Sequence, residues 1–562
     1  MTSVAVLGGG ISGLSTAYYL SRLAPKSTKI ILIEGKDRVG GWIQSRRVSP
    51  GKYDSKNHLP KLSQEDDSIL FEAGPRSLRP EGPNGVILLE MLQHLQLNKN
   101  ESLLCIPKSD PSVRHRYIYY DDKINTLPTG PMSLLFNKPP VFKSVILAGA
   151  LEPFRSSRFK NGIPKDGKED ESLYDFMKRR FNEHTAINLM GALAHGIYAG
   201  DVKQLSLKST MRMLYEAERN YGGVIMGMLR GTSNTATMRE RGMVVRARNQ
   251  DPEWFSKMEK MSILGFKDGM ETLPNQIRAW LEQCPNVDII INDPVESIEV
   301  KSNGKETKIK TKSTDIYADH VISTIPSINL DKLLKEQKLP HLTYNPSVDV
   351  AVVNFAYPSD VKLGYDGFGI LTPHRDTKHP ISLPGTLGVV FDSNTMPGLE
   401  TIQSDTVKVT AMIGGSDWKD AFGKITIDEL DPEIAYKYAN DVMNVFLNIN
   451  STPTHSMVNL QKQCIPQYLV GHEARLRELH HALKDKYGHL MSVTGASYLS
   501  VSVPGCIKNS RMLVEELLVS GALGSREKIV TGLGNTVKGT STEEMKDSAR
   551  LSKGNINIIM KS

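Results

Sequence analysis

The N-terminal stretch VAVLGGGISGLSTAYYL (Val4 to Leu20) constrains this chain more than any other, because three closely spaced glycines separate an apolar strand from an amphipathic helix. Val4 to Leu7 read as a short buried strand, and Ala17 and Leu20 continue a helical apolar face. Gly8, Gly10 and Gly13, with Gly9, Ile11 and Ser12 between them, fit G-x-G-x-x-G. In that pattern the first glycine permits a tight turn, the second lets a pyrophosphate approach the backbone, and the third lets helix and strand pack closely. The helix N-terminus then offers free N–H groups and partial positive charge to the phosphates. The expected fold class is α/β, with a Rossmann-like dinucleotide-binding domain.

The residues that follow narrow the ligand. Ile30 to Ile33 form a second apolar strand that ends at Glu34. An acid there is placed to hydrogen-bond ribose hydroxyls and repels the extra phosphate of NADP. RVGGWIQS (Arg38 to Ser45) then adds a second glycine pair, Gly40 and Gly41, soon after the acid. NAD-dependent dehydrogenases have no need of it, whereas FAD enzymes of the amine oxidase type do. Trp42 stands where many of those enzymes carry Arg. The expected cofactor is FAD.

At 562 residues the chain exceeds what one core usually supports, so two or three domains are expected. A net charge of +7, spread along the sequence, suggests attraction to anionic lipid or an acidic substrate rather than nucleic-acid binding. The four cysteines lie far apart with no C-x-x-C pair, and the histidines show no H-E-x-x-H spacing, so neither a disulfide scaffold nor a metal is expected. The first strand begins within a few residues of Met1, leaving no room for a cleavable presequence. No run of eighteen apolar residues occurs. GPMSLLFNKPPVFKSVILAGALEPF (Gly130 to Phe154) mixes large apolar residues with Lys138 and Lys143. It fits either an interfacial membrane segment or an ordinary buried helix pair.

Further along, Gly51 to Ser68 reads as an enlarged turn between two strands. EAGPRSL (Glu72 to Leu78) reads as a loop whose backbone and Arg76 guanidinium reach flavin or substrate. Val86 to Leu97 reads as an apolar helix, and Gly222 to Asn249 as an aperiodic, mobile stretch. Pro294 to Lys312 reads as a hairpin turning at Asn303-Gly304. RHRYIYYDD alternates as a strand would, which puts Arg114 and Arg116 on one face. The polar tail is expected to be poorly ordered.

Taken in order, VLGGGISGL, VGGWIQS, EAGPRSLRP, LPTGP, HGIYAGD (His195 to Asp201), FKDGMETLP, DHVISTIP, VAVVNFAYP, GFGILTP (Gly367 to Pro373), LGVVFDS, CIPQYLVGH (Cys464 to His472) and GASYLSVSVPGC (Gly495 to Cys506) resemble the protoporphyrinogen oxidase family. These are amine oxidase-type flavoproteins of haem synthesis, and the likeness runs from Val4 to about Leu518. The first motifs are shared by many such flavoproteins, while GIYAGD, GFG-x-L-x-P and IPQY-x-x-GH are more specific. Two departures stand out: Gly505 replaces the family's usual Asp, and Ser500 and Ser502 replace small residues near the flavin.

The resemblance implies a Rossmann-like FAD-binding domain of the amine oxidase/p-hydroxybenzoate hydroxylase type, interleaved with a mixed-sheet substrate domain and a helical membrane-associated domain. The expected parts are 1–95, 262–330 and 481–520 for FAD, 96–225 for the helical domain, 331–480 for the substrate and 521–562 for the tail. FAD contacts fall on Gly8 to Gly13, Glu34, Gly41, Trp42, the loop Gly74, Pro75, Arg76 and Ser77, the backbone of Val295, and Val501, Ser502 and Val503. Substrate contacts fall on Arg116, Gly196, Ala199, Phe368, Leu371 and Met412, the arginine facing propionates and the apolar residues walling the macrocycle. The implied reaction oxidises protoporphyrinogen IX in three two-electron steps, each passing a hydride to flavin N5, with oxygen returned as hydrogen peroxide. No catalytic base is assigned. Expected partners are the substrate, molecular oxygen, a membrane surface, the next haem-pathway enzyme (ferrochelatase) and a second copy of the chain. Nucleic acid is not expected. The expected location is the mitochondrial inner membrane, peripheral or monotopic. Alternatives are a coproporphyrinogen-oxidising relative, another amine oxidase-type flavoenzyme, and a non-enzymatic lipid-binding chaperone of the Rab escort/GDP-dissociation-inhibitor type.

Overall fold

The structure, a computed structural model, describes residues 2–54, 68–99, 101–130, 133, 139–231, 236–301, 304–335, 337–399, 406–525 and 527–534. The first strand, Ser3–Leu7, lies inside a five-stranded parallel sheet in the order Val287–Ile290, Lys29–Ile33, Ser3–Leu7, His320–Ser323, Met491–Val493. Strand side chains alternate between faces. Accordingly Val4, Val6, Ile30 and Leu32 pack on the helices Ile11–Leu23, Gly82–His94, Thr272–Glu282 and Val503–Ser520. Ala5, Leu7, Ile31 and Ile33 face the opposite way, onto an antiparallel layer of Val295–Val300, Thr307–Thr311 and Asp315–Ala318 and the helix His472–Tyr487. Sheet burial on both faces explains why these strands read as unbroken apolar runs.

A second, mixed sheet has eight strands in the order Gly51–Asp54, His455–Pro466, Ser347–Pro358, Thr406–Gly414, Thr386–Val390, Gly369–Leu371, Tyr117–Tyr120, Lys123–Thr126. One face, with Ala351, Val353, Phe355, Ala411 and Ile413, packs on the helix Pro432–Leu447. The other looks toward a helical cluster built around Leu173, Phe176, Ala194 and Tyr215. The strands Tyr117–Tyr120 and Lys123–Thr126, which fall inside the segment expected to be helical, belong to this sheet.

The strands Ser45–Val48 and Ile69–Glu72 pair as expected; residues 55–67 between them lie outside the described residues, as do Asn303 of the predicted turn and most of the tail. Two local readings are corrected. Arg114 closes a short helix, Pro111–Arg114, whose N-cap Asp110 accepts from Ser112 N–H, so it does not share a strand face with Arg116. The stretch read as aperiodic contains the helices Val224–Leu229 and Met238–Gln250, the second started by a capping box between Thr237 and Glu240.

Candidate functional site

The glycine loop and the second glycine pair form one cradle. Gly8 donates to Ile33 O (2.8 Å) and Gly40 donates to Gly9 O (2.8 Å), which joins the two loops. The carboxylate of Glu34 accepts from Gly9 N–H (2.6 Å) and Lys36 N–H (2.8 Å), so the acid is turned onto the loop. A Cβ at Gly13 would stand 1.7 Å from Gly8 O, so helix and strand touch there. At Gly10 the nearest atom to such a Cβ is Gly41 Cα, at 3.9 Å. The helix Ile11–Leu23 has neither a side-chain cap nor an acid in its first turn. Its first N–H groups are therefore left without a side-chain cap, and this donor set fits a phosphate-bearing cofactor. Arg38, which sequence reasoning passed over, donates to the carbonyls of Val39, Gly41 and Ile43 and fixes the second glycine loop.

Of the remaining expected cofactor residues, Trp42 and Gly74 lie against one another beside this cradle, whereas Val501 packs toward the helical cluster of Leu173 and Phe176. Trp42 is 38% exposed, with Lys36 Nζ 5.8 Å from its ring, and Gly74 packs so closely that a Cβ would meet Trp42 O at 2.0 Å. Pro294 packs against Gly35, so the chain passes close to Glu34 just before Val295. The guanidinium of Arg76 does not reach into the cradle. It is spent on Asp392 (2.9 Å), Asn354 (2.6 Å), Thr410 (2.8 Å) and two backbone carbonyls. Arg76 thus braces the loop Gly74–Ser77 against the second sheet.

At the other end of the cradle, Ser502 caps the helix Val503–Ser520 by accepting from Gly505 N–H (3.1 Å), and its hydroxyl lies 3.1 Å from that of Ser500. A Cβ at Gly505 would stand 2.0 Å from Ser500 Oγ. The two departures from the family pattern are therefore one: the serine fills space that only glycine leaves. Gly505→Asp alone should lower the melting temperature by an amount equivalent to about 2 kcal/mol or more. Adding Ser500→Gly should restore much of it; a single variant as stable as wild type would contradict the coupling.

Across the second sheet, strand register sets Ile118, Leu371, Gly388 and Met412 in one row. Directly opposed residues share a face. Leu371 and Met412 thus flank a glycine gap. The helix Gly191–Tyr198 lies over it. A Cβ at Gly196 would come 2.6 Å from Leu371 Cδ2, and Ala199, which ends the helix at φ +48°, accepts from Ser416 N–H (2.8 Å). Gly196, Ala199, Leu371 and Met412 therefore come together. Phe368 does not join them, since its side chain packs with Leu70, Ile106 and Met396. Arg116 enters the first strand of the pair beside Gly369, and Phe368 N–H donates to His115 O (2.9 Å). The Arg116 side chain is accessible yet crowded. Desolvation, and then the like charge of Arg79, pull its pKa below the usual guanidinium value. Among the described residues its guanidinium has no hydrogen-bond or ion-pair partner, as a cation awaiting a carboxylate would.

Two further groups needed the structure to be seen. Gln467 donates to Tyr198 O (2.9 Å), and Tyr468 OH donates to Ala496 O, so the IPQY segment ties the helix over the gap to the turn that leads to Ser502. Glu72 is buried and accepts from Met270 N–H (2.7 Å) and Ser45 Oγ (2.9 Å). Burial pushes its carboxyl up to about 7 despite these bonds. A folded pKa raised above the unfolded value gives stability that is present below about 4.5 and lost as pH rises through about 7. Glu72→Gln should therefore flatten the fall in melting temperature between those values; an unchanged pH profile would assign the titration elsewhere.

The family model for flavin containing amine oxidoreductases matches residues 11–518. Over 522 residues the chain is 34% identical to a protoporphyrinogen oxidase of Schizosaccharomyces pombe, covering 92% of this chain and 98% of that one. It is 31% identical over 524 residues to the protoporphyrinogen oxidase of Homo sapiens, with the same coverage. Among solved structures, a putative protoporphyrinogen oxidase from Exiguobacterium superposes with a TM-score of 0.69 at 19% identity, over 92% of this chain and 98% of the other.

Proposed function

The chain belongs to the protoporphyrinogen oxidases within the flavin-containing amine oxidoreductase family, and from that premise we propose that it oxidises protoporphyrinogen IX to protoporphyrin IX with molecular oxygen as final acceptor. The observation that carries this reading is the end-to-end match to protoporphyrinogen oxidases. FAD, held non-covalently by Gly8 to Gly13, Glu34, Gly41, Trp42 and Val501 to Val503, supplies the hydride acceptor. Around it the chain's own residues position and shield. Leu371 and Met412 offer an apolar wall, the helix ending at Ala199 closes over it, and Arg116 is free to take a propionate. Burial pushes the thiols of Cys464 and Cys506 up to about 12 and about 11, which keeps both un-ionised.

The test is incubation of the purified protein with protoporphyrinogen IX in air and under nitrogen while porphyrin fluorescence is followed. An oxygen-dependent rise is expected, with FAD left in the supernatant after acid precipitation. A faster reaction with coproporphyrinogen III would instead favour the relative with that substrate. A colourless protein would favour a lipid-binding chaperone.

We place the enzyme on the mitochondrial inner-membrane surface, as a homodimer that hands its product to ferrochelatase. What supports the membrane part is an exposed apolar group on the helix Lys143–Leu151 and the turn after it, with Leu147 65% and Phe154 86% exposed, together with exposed Met228 and Leu229. No helix among the described residues is long and apolar enough to cross a bilayer. Residues 131–132 and 134–138 of the segment lie outside the described residues. Burying a Leu and a Phe side chain is worth about 1.5–3 kcal/mol each. Leu147→Ser with Phe154→Ser should weaken binding to anionic vesicles by about two orders of magnitude or more and leave folding unchanged. Release of the wild type by high salt alone would show that charge, not apolar insertion, holds it.

A further inference from the structure

Behind the wall of the substrate gap lies a cluster of charged and titratable groups, buried at His195, His374, Asp201 and Asp417, that the proposed reaction does not use. His195, in the helix Gly191–Tyr198, is 4% exposed. Its Nδ1 lies 3.1 Å from Thr372 O and its Nε2 lies 3.4 Å from Asp417 Oδ2, where it has no hydrogen-bond partner. Both neighbours are oxygen acceptors. A neutral imidazole has one N–H, so either tautomer turns a bare ring nitrogen toward an oxygen. One added proton, shared with Asp417, removes the conflict.

The partners of this ring are neighbours of the wall residues. His195 precedes Gly196, Thr372 follows Leu371, and Asp417 stands beyond Gly415, whose Cβ position would lie 2.3 Å from Ala199 O. Asp417 is itself held, since its Oδ1 accepts from Arg375 (2.9 Å) and Ser416 Oγ (3.0 Å). Arg375 also reaches Asp201 (3.3 Å) and Asp420 (3.2 Å). His374 lies 3.2 Å from Asp201 and 3.7 Å from Asp376, and Lys203 pairs with Asp376. These are the charged and titratable groups around the ring. Burial, with the nearby His374, lowers the imidazole's affinity for a proton, and Asp417 offsets only part of that. The case for the proton is geometric, an oxygen facing each ring nitrogen.

We propose that His195 is a positioning residue for the substrate, and that the proton it shares with Asp417 holds Gly196, Ala199, Leu371 and Met412 as one surface. This rests on the assignment of that surface to the porphyrinogen. Three variants test it. His195→Leu should raise KM for protoporphyrinogen IX about tenfold with kcat changed less than about twofold. His195→Gln, which keeps an N–H donor, should recover most of the loss. Asp417→Asn can donate to Nε2 without any extra proton, so its KM should stay flat with pH where wild-type KM rises as the shared proton is lost.

Equilibrium binding of protoporphyrin IX, followed by its fluorescence, reads the same surface without turnover. An unchanged KM in His195→Leu overturns the proposal. So does a His195→Gln variant as impaired as His195→Leu, or an Asp417→Asn variant that tracks the wild-type pH profile. If His195→Leu does not fold, the other two variants still decide. Wild-type protein that binds porphyrin but fails to oxidise the porphyrinogen overturns the functional reading, and the binding measurements on the variants then test His195 alone.

Discussion

Gly10→Val should give a folded protein that carries no flavin, whereas Gly13→Ala should give almost no folded protein. The two positions lie three residues apart in one motif, yet their surroundings differ completely. At Gly13 an added Cβ meets the carbonyl of Gly8 at 1.7 Å, and backbone cannot turn aside as a side chain can. Separating helix from strand would open the sheet core around Val4, Val6 and Leu14. Overpacking of that severity exceeds the ordinary cost of about 1–3 kcal/mol and consumes much of a typical stability of about 5–15 kcal/mol. At Gly10 an added Cβ meets only Gly41 Cα, at 3.9 Å, so the branched side chain would reach into the space between the two glycine loops. Circular dichroism melting and flavin absorbance on both variants check the pair. A yellow Gly10→Val protein would show that the pyrophosphate does not approach there. A Gly13→Ala protein that melts near wild type would show that the strand and helix yield more easily than their contact suggests.

Arg116→Ala should lower kcat/KM for the porphyrinogen by about one to two orders of magnitude with flavin content intact. A charge-assisted contact of this kind is worth roughly 1.5–3 kcal/mol, and about 1.36 kcal/mol is a factor of ten. Arg114→Ala is the control. The two arginines sit on different elements, Arg114 on a helical turn and Arg116 at a strand entrance, so a silent Arg114 is expected on structural grounds. Damage from Arg114→Ala with a silent Arg116→Ala would reverse the assignment. Silence from both would mean that other groups hold the carboxylates, and the substrate reading would weaken with it.

How much of this was legible in the sequence depends on how local each feature is. The Gly8–Gly13 turn, Glu34 and the Gly40–Gly41 pair were readable because they form a motif of fixed short spacing, although the contact that joins the two glycine loops, Gly40 N–H to Gly9 O, spans about thirty residues. The helix at Met238–Gln250 was also signalled locally, by Thr237 three residues before Glu240, but its weak apolar periodicity hid it. Arg114 was misread because alternation over so few residues ignores Asp110-Pro111, a helix-start signal. Leu371 and Met412 could be matched to family motifs, whereas their shared row with Gly388 is a matter of strand register between distant segments. The same holds for Arg76, whose partners Asn354, Asp392 and Thr410 are hundreds of residues away, and for His195 with Thr372 and Asp417.

The parallel sheet also sets an order of events in time. Its central strand, Ser3–Leu7, pairs with residues from position 29 and from position 320, while one of its two edge strands begins only at Met491. The helix Val503–Ser520, which covers one face of the sheet, comes later still. Pairings across such long stretches of chain form slowly, because loop closure must precede the contacts that reward it. The strand Ser3–Leu7 must therefore wait for segments hundreds of residues later in the chain before its core can close. Until then the apolar strands stand exposed, so yield in a cell should depend on chaperone supply, and a chain cut before Met491 should aggregate rather than fold into a smaller flavoprotein.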